Sequence, residues 1–425
     1  MTPARRAKTA PASTSPRAAA PRKRGKLSLL LGLLAVLGAL ALWLNRDVLR
    51  RRQLARASTA ELVAQARANP RDEVVVKLAG QRCLDQDRAA DARDFLLRAV
   101  QADPSEPQLN LLAGRAEWDS GDPEKAGTFL NAALQAAPQD PDVLFWSGEL
   151  LLSRGRARDA RSLMVDATRV DPSRGDIWKR LGELELNDQH YPEALRYLDR
   201  AEAQSPSGAT ARLRAATLQL LSRLPEAEQA ARLAVEREKS PVNFRVLGDI
   251  VQQGQGDEHA RQAQQYFREA LRLDPRDALA LKLLAINHRS LGEHAAAIKV
   301  LRRLLRVMPS LTEGYLMLSQ SYQTLGKPDL ARRALSTFRQ LQPLQENADR
   351  AGQRVVVERG VLPAQLAQAQ ALLDLGRNDD ARQVMERAWS KAPHTPEVEA
   401  MLRRCDDPST LHIEPLPPDP AGDAP

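Results

Sequence analysis

The sequence predicts an all-α chain: an α-solenoid of helix–turn–helix repeats, preceded by a single transmembrane helix. Three observations carry this. Proline recurs at 70, 104, 138, 172, 206, 241, 275, 309 and 343, so seven of the eight steps are 34 residues and one is 35. Two other residue types keep the same beat: Gly80, Gly114, Gly148, Gly182 and then Gly248; and Ala92, Ala126, Ala160, Ala194, Ala227, Ala263, Ala297, Ala331 and Ala381. Three chemically distinct slots in one register mark an internal repeat, which outranks any local reading of secondary structure. Finally, residues 27–44 carry no charge and, apart from Ser28, no polar side chain, and the chain as a whole combines 43% hydrophobic residues with only 4% aromatic ones. Such a chain has enough apolar surface for a core, and the wealth of Ala, Leu and Arg favours helix.

In chain order, residues 1–26 carry eight basic side chains and no acid. With almost nothing to bury against the entropy of ordering, they read as a disordered basic tail. The run LSLLLGLLAVLGALALWL follows, and 27–45 is the expected membrane span. Eighteen residues at a helical rise cover about 27 Å, close to the hydrocarbon thickness of a bilayer. Trp43 falls where an indole favours the interface, and Arg46, Arg50, Arg51, Arg52 and Arg56 follow at once. Eight basic residues before the run against five after it favour a cytoplasmic N-terminus. The body would then be periplasmic or otherwise extracytoplasmic on a single-pass protein of a bacterial inner membrane. Ala39-Leu40-Ala41 leaves cleavage and secretion as the alternative.

Residues 46–72 read as a juxtamembrane linker and capping helix, and 73–343 as eight repeats. The unit from Asp171 to Pro206 shows the design. Ile177, Trp178, Leu181 and Leu184 recur at helical spacing in a first helix (A); Ala194, Leu195, Leu198 and Ala201 do so in a second (B). Gly182 and Ala194 leave room where helices approach closely. Proline at the end of each unit is expected to stop helix B, since it has no N–H to continue the ladder. The 241–275 unit carries a longer turn, QQGQGDEH, and the 208–241 unit lacks the close-approach glycine. Residues 344–361 break the period and read as an extra helix or an extended helix B. Residues 362–405 form a last repeat with a cap. The acidic, proline-rich 406–425 reads as disordered.

This pattern resembles the tetratricopeptide repeat. Trp178, Leu181, Gly182, Ala194, Leu198, Ala201 and Pro206 match the family's slots in one unit, where Glu185 departs from the usual tyrosine. Gly114, Ala126, Leu130, Ala133 and Pro138 match in another, and Gly148, Ala160, Met164, Ala167 and Pro172 in a third, while Phe267 and Tyr322 supply aromatics later. The resemblance implies a right-handed superhelix with helix A on the concave surface, a body without catalytic activity of its own, and binding of peptide or helical segments of other proteins. The family's concave slots fall on Lys77, Gln81, Arg115, Trp118, Asp119, Phe145, Glu149, Lys179, Glu183, Asn187, Arg245, Asp249, Lys282, Gln320 and Gln323. Trp118 and Phe145 stand out as the aromatic anchors. The family's clamp for a C-terminal carboxylate is not matched: Lys77, Gln81, Leu112, Asp142 and Trp146 occupy its places, and only the first fits.

Residue chemistry points the same way. The net charge of +8 equals the eight basic residues of the first 26; the remainder holds 54 basic and 54 acidic groups. A nucleic-acid-binding body is therefore not expected. Cys83 and Cys405 cannot form a disulfide framework or a four-ligand zinc site. The six histidines form no H-E-x-x-H, and no G-x-S-x-G or phosphate loop is present, so neither a cofactor nor a small-molecule substrate is expected. The function expected is a non-catalytic, membrane-anchored interaction scaffold in envelope assembly or secretion. The alternative is an auxiliary subunit that positions a catalytic partner or its substrate.

Overall fold

The computed structural model describes residues 50, 52–254, 256–358, 360–391 and 394–407. The expected basic tail, the 27–45 membrane span and most of the acidic tail lie outside these residues. Among the described residues, no helix is long and apolar enough to cross a membrane. The secondary structure there is helical throughout. The helices are α1 (Thr59–Ala68), α2 (Glu73–Leu84), α3 (Ala89–Ala102), α4 (Pro107–Asp119), α5 (Pro123–Ala136), α6 (Pro141–Ser153), α7 (Ala157–Val170), α8 (Gly175–Asn187), α9 (Tyr191–Gln204) and α10 (Gly208–Leu220). They continue as α11 (Leu224–Arg237), α12 (Pro241–Gln252), α13 (Asp257–Leu273), α14 (Ala278–Ser290), α15 (His294–Val307), α16 (Thr312–Thr324), α17 (Pro328–Val357), α18 (Leu362–Asp374), α19 (Asn378–Lys391) and α20 (Pro396–Cys405). The chain forms two compact units, one up to residue 160 and one from residue 161.

In the first unit α1 opens with a capping box. Ser58 Oγ accepts from the Glu61 N–H at 3.2 Å, and Glu61 Oε2 accepts from the Ser58 N–H at 2.9 Å. α1 packs on α2 and α3; the pairs α2/α3 and α4/α5 follow, each B helix packing on the next A helix. Val76, Ala79, Cys83, Phe95 and Leu96 are fully buried between them. Gly114 lets α4 and α5 close: a Cβ there would stand 2.8 Å from Leu130 Cγ.

The second unit repeats the scheme with α8/α9, α10/α11, α12/α13, α14/α15, α16/α17 and α18/α19, and α20 closes it. Across α8, α10, α12 and α14, successive A helices also pack directly on one another, while the B helices have no comparable packing. The A layer is therefore the inner face of this stretch. Pro241 begins α12, just as Pro107 begins α4 and Pro141 begins α6. It belongs to the helix A start and not to the slot that ends helix B, which explains the single step of 35. α13 has 17 residues where neighbouring B helices have 14, and this absorbs the irregular turn before it.

The slot ending helix B works by constraining the residue before proline. Asp103, Ser205, Asp274 and Met308, each followed by proline, leave the helical region with ψ between 79° and 95°. Pro343 departs from this: α17 runs unbroken for 30 residues with Pro343 inside it. An interior proline loses a hydrogen bond and crowds the preceding turn, at a cost of about 3 kcal/mol. Beyond Pro343 the helix buries Ala348 and Ala351 in the contact with α18, which offsets that cost.

Candidate interaction faces

In the first unit the polar face of helix A is organised by Arg115. Its guanidinium lies 4.7 Å from the centroid of the Trp146 ring, and Asp85 Oδ1 is 3.8 Å from Nη2. Phe145 meets Trp146 edge-on at 5.6 Å between centroids. A cation held over an indole and an edge-on aromatic pair each contribute about 0.5–1.5 kcal/mol, so the cluster is a firm, half-buried shelf. Trp118 and Trp146 both pack, half-buried, against the core of Leu111, Leu130, Val143 and Leu150. The ring in contact with Phe145 is Trp146 and not the expected anchor Trp118. Asp119 is exposed as a residue, yet its carboxyl is pushed up, chiefly by lost water, with Asp87 adding repulsion against the attraction of Arg115. Glu149 is half-buried and already engaged. Lys77 pairs with Glu106 and, at 3.3 Å, with Glu73. Burial acts to lower its pKa, but the two carboxylates together raise it. Gln81 is exposed.

In the second unit the expected residues build rungs between successive A helices. Arg245 Nε on α12 lies 3.1 Å from Asp277, the N-cap of α14, and Lys282 on α14 pairs with Glu313 on α16. Gln219 Nε2 donates to Asp249 at 2.8 Å, and Arg289 donates to Gln320. Glu183 pairs with Arg180 on its own helix at 3.1 Å. Asn187 and Gln323 are exposed, and Lys179 is half-buried with no ion pair among the described residues. These ladders were invisible to a helix-by-helix reading because their partners sit 30 to 32 residues away.

The structure also assembles a polar cluster from residues given no such role. Glu185, Asp188 and His190 bring their ligand-type atoms within 4.8 Å of one another. Arg161 Nε lies 2.7 Å from Glu185, and its Nη2 pairs with Asp188. The guanidinium supplies positive charge to both carboxylates, and His190 Nδ1 lies 2.8 Å from Glu185 Oε2. Glu185 is buried, so its departure from the usual tyrosine is a buried ion pair between units of the repeat. Glu117 does the same one pair of repeats earlier: it is fully buried, with Oε1 2.9 Å from Arg93 Nε. In both cases the partners are 24 residues apart.

Tetratricopeptide repeat models match residues 84–144, 117–184 and 255–309. No curated protein matches in sequence. Among solved structures, PilF of Pseudomonas aeruginosa is 19% identical, with 52% of this chain and 98% of that one covered at a TM-score of 0.46. YrrB, a tetratricopeptide protein described as having an unusual peptide-binding site, is 18% identical, covering 45% and 98% at 0.38. The Cut9–Hcn1 hetero-tetramer is 14% identical, covering 85% and 60% at 0.45. Tetratricopeptide repeats are thus matched over residues 84–184 and 255–309 of a chain whose described residues form paired α-helices.

Proposed function

We propose that this chain is a non-catalytic scaffold that receives segments of other proteins on the A-helix face of its repeats. The observation that carries the reading is the Arg115–Trp146–Phe145 cluster. A cation and two aromatic rings are gathered there, half-buried, with Trp146 also seated on the core beneath. Preformed aromatic anchors with an arginine are the groups that carry most binding energy in protein interfaces. Residues 27–45 would hold the scaffold at a bacterial inner membrane, with the repeats on the extracytoplasmic side, in service of envelope assembly or secretion. Confinement to the membrane surface would raise the effective concentration of partners there.

The test is affinity capture of the full chain from detergent-solubilised membranes, comparing wild type with Phe145→Ala/Trp146→Ala. The expected result is loss of the co-purified proteins while the far-ultraviolet circular dichroism stays unchanged. Retention of every co-purified protein by the folded variant would refute the assignment of the face. A reporter active only outside the cytoplasm, fused after residue 60, tests the topology, and an inactive fusion would overturn it.

A further inference from the structure

The fifth residue of helix A is basic in four successive repeats of the second unit: Lys179 in α8, Arg212 in α10, Arg245 in α12 and Lys282 in α14. The direct packing of these four helices makes the residues a ladder along one inner face. Arg245 and Lys282 show where this slot points, since each reaches across to an acidic residue at the start of the next A helix. Lys179 and Arg212, in the same slot, are half-buried and have no ion pair among the described residues. Lys179 and Arg212, on helices that pack directly on one another, are thus cations short of partners and attract carboxylates. Beside the ladder runs an apolar edge: Leu213, Val246 and Leu283 in the sixth slot, Val242 in the second, all half-buried, and Leu279, which is 47% exposed. The face therefore suits a segment bearing carboxylates on one side and aliphatic side chains on the other, read in an extended form.

The chain itself contains such a segment. Residues 408–425 carry Glu414, Asp419 and Asp423 and no Lys or Arg, with Leu411, Ile413 and Leu416 between prolines at 408, 415, 417, 418 and 420. Proline biases a chain to extended conformations before it binds, which lowers the entropy lost on docking. The segment leaves the second unit directly after α20. At about 3.4 Å per residue its eighteen residues reach about 60 Å, and touching helices are about 10 Å apart, so the α10–α14 stretch lies within range. We propose that residues 408–425 are the resident occupant of the Arg212–Arg245–Lys282 part of this ladder, covering it until a stronger acidic segment displaces them. This rests on the A-helix face being the binding face, as argued above.

The test uses a fluorescent peptide of residues 408–425 and the detergent-purified chain, full length or ending at Asp407. The peptide should bind the shortened chain at least tenfold more tightly than the full-length chain, where the ladder is already covered. Arg212→Glu/Lys282→Glu should weaken that binding at least tenfold. A peptide carrying Glu414→Lys/Asp419→Lys/Asp423→Lys should lose binding to wild type and regain it with the charge-reversed chain. The regained binding also shows that the reversed chain is folded. Equal binding to both lengths would overturn intramolecular occupancy and leave the ladder to segments of other molecules. Binding indifferent to either charge reversal would overturn the ladder as the recognition element. Neither failure touches the Phe145/Trp146 face, whose capture experiment reads a different unit.

Discussion

Adding one methyl group at the close-approach glycines tests the packing of the array quantitatively, because the four sites differ in what that methyl would meet. At Gly80 the nearest atom is Leu96 Cδ2 at 3.0 Å, the free end of a flexible side chain. At Gly114 it is Leu130 Cγ at 2.8 Å, and at Gly182 Leu198 Cγ at 2.7 Å, branch points that cannot swing away without moving the whole side chain. At Gly248 it is the Phe267 ring, with Cε1 at 2.6 Å and Cδ1 at 2.8 Å, and that ring is fully buried. Relaxed carbon contacts lie near 3.5–4.0 Å, so each site except the first must displace a fixed neighbour. Alanine gains about 1 kcal/mol over glycine in a helix interior, and overpacking costs about 1–3 kcal/mol. Gly80→Ala should therefore be close to neutral, Gly114→Ala and Gly182→Ala destabilising by about 1 kcal/mol, and Gly248→Ala by about 2 kcal/mol, by difference of those terms. Because repeat arrays need not unfold in one step, the assay is urea titration by circular dichroism together with amide exchange resolved to individual helices. Gly248→Ala should accelerate exchange in α12 and α13 first. A Gly248→Ala chain as stable as Gly80→Ala would refute the claim that the paired helices are held at contact distance.

Other perturbations address the polar parts. Arg93→Leu strands the fully buried Glu117 carboxylate and should cost about 3–5 kcal/mol, whereas Arg93→Leu/Glu117→Leu should recover most of that loss in urea titrations. Gln189 and Ser222 hold the left-handed backbone, φ 63° and 60°, in the turn between helices A and B where Gly121, Gly155 and Gly326 serve elsewhere. Gln189→Gly or Ser222→Gly should raise stability by up to about 1 kcal/mol, by removing the Cβ strain of that conformation; a loss of stability would contradict the geometry. Asp122 caps α5, accepting the Lys125 N–H at 3.0 Å, and its carboxyl is held below the usual range first by the Lys125 side chain and then by that N–H. Its stabilisation is present above the ordinary carboxylate value near pH 4 and is lost as pH falls through the lowered one. Asp122→Asn keeps an acceptor but has no charge to lose, so its stability should be less sensitive to acid below pH 4 than that of wild type.

The repeat and its internal logic are written along the chain. Proline, glycine and alanine act within one helix pair, through backbone constraint and close approach, so their spacing can be read along the chain. The same holds for α1, whose start is written in Ser58 and Glu61 three residues apart. The left-handed turn residues Gly121 and Gly155, and Gly292 and Gly326, keep the 34-residue beat as well. Which side chains meet between repeats is settled only in the folded chain. Arg115 finds Trp146 rather than Trp118, Arg161 gathers Glu185 and Asp188, and Arg245 reaches Asp277, all through contacts 24 to 32 residues apart that depend on how one helix pair rotates against the next. The fate of Pro343 belongs here too, because its ring forbids a regular ladder locally while burial of Ala348 and Ala351 against α18 rewards continuing it. Local constraints are set by covalent geometry and are carried by the residue itself; the inter-repeat contacts are set by a small angle between stacked helices, and no single residue encodes it.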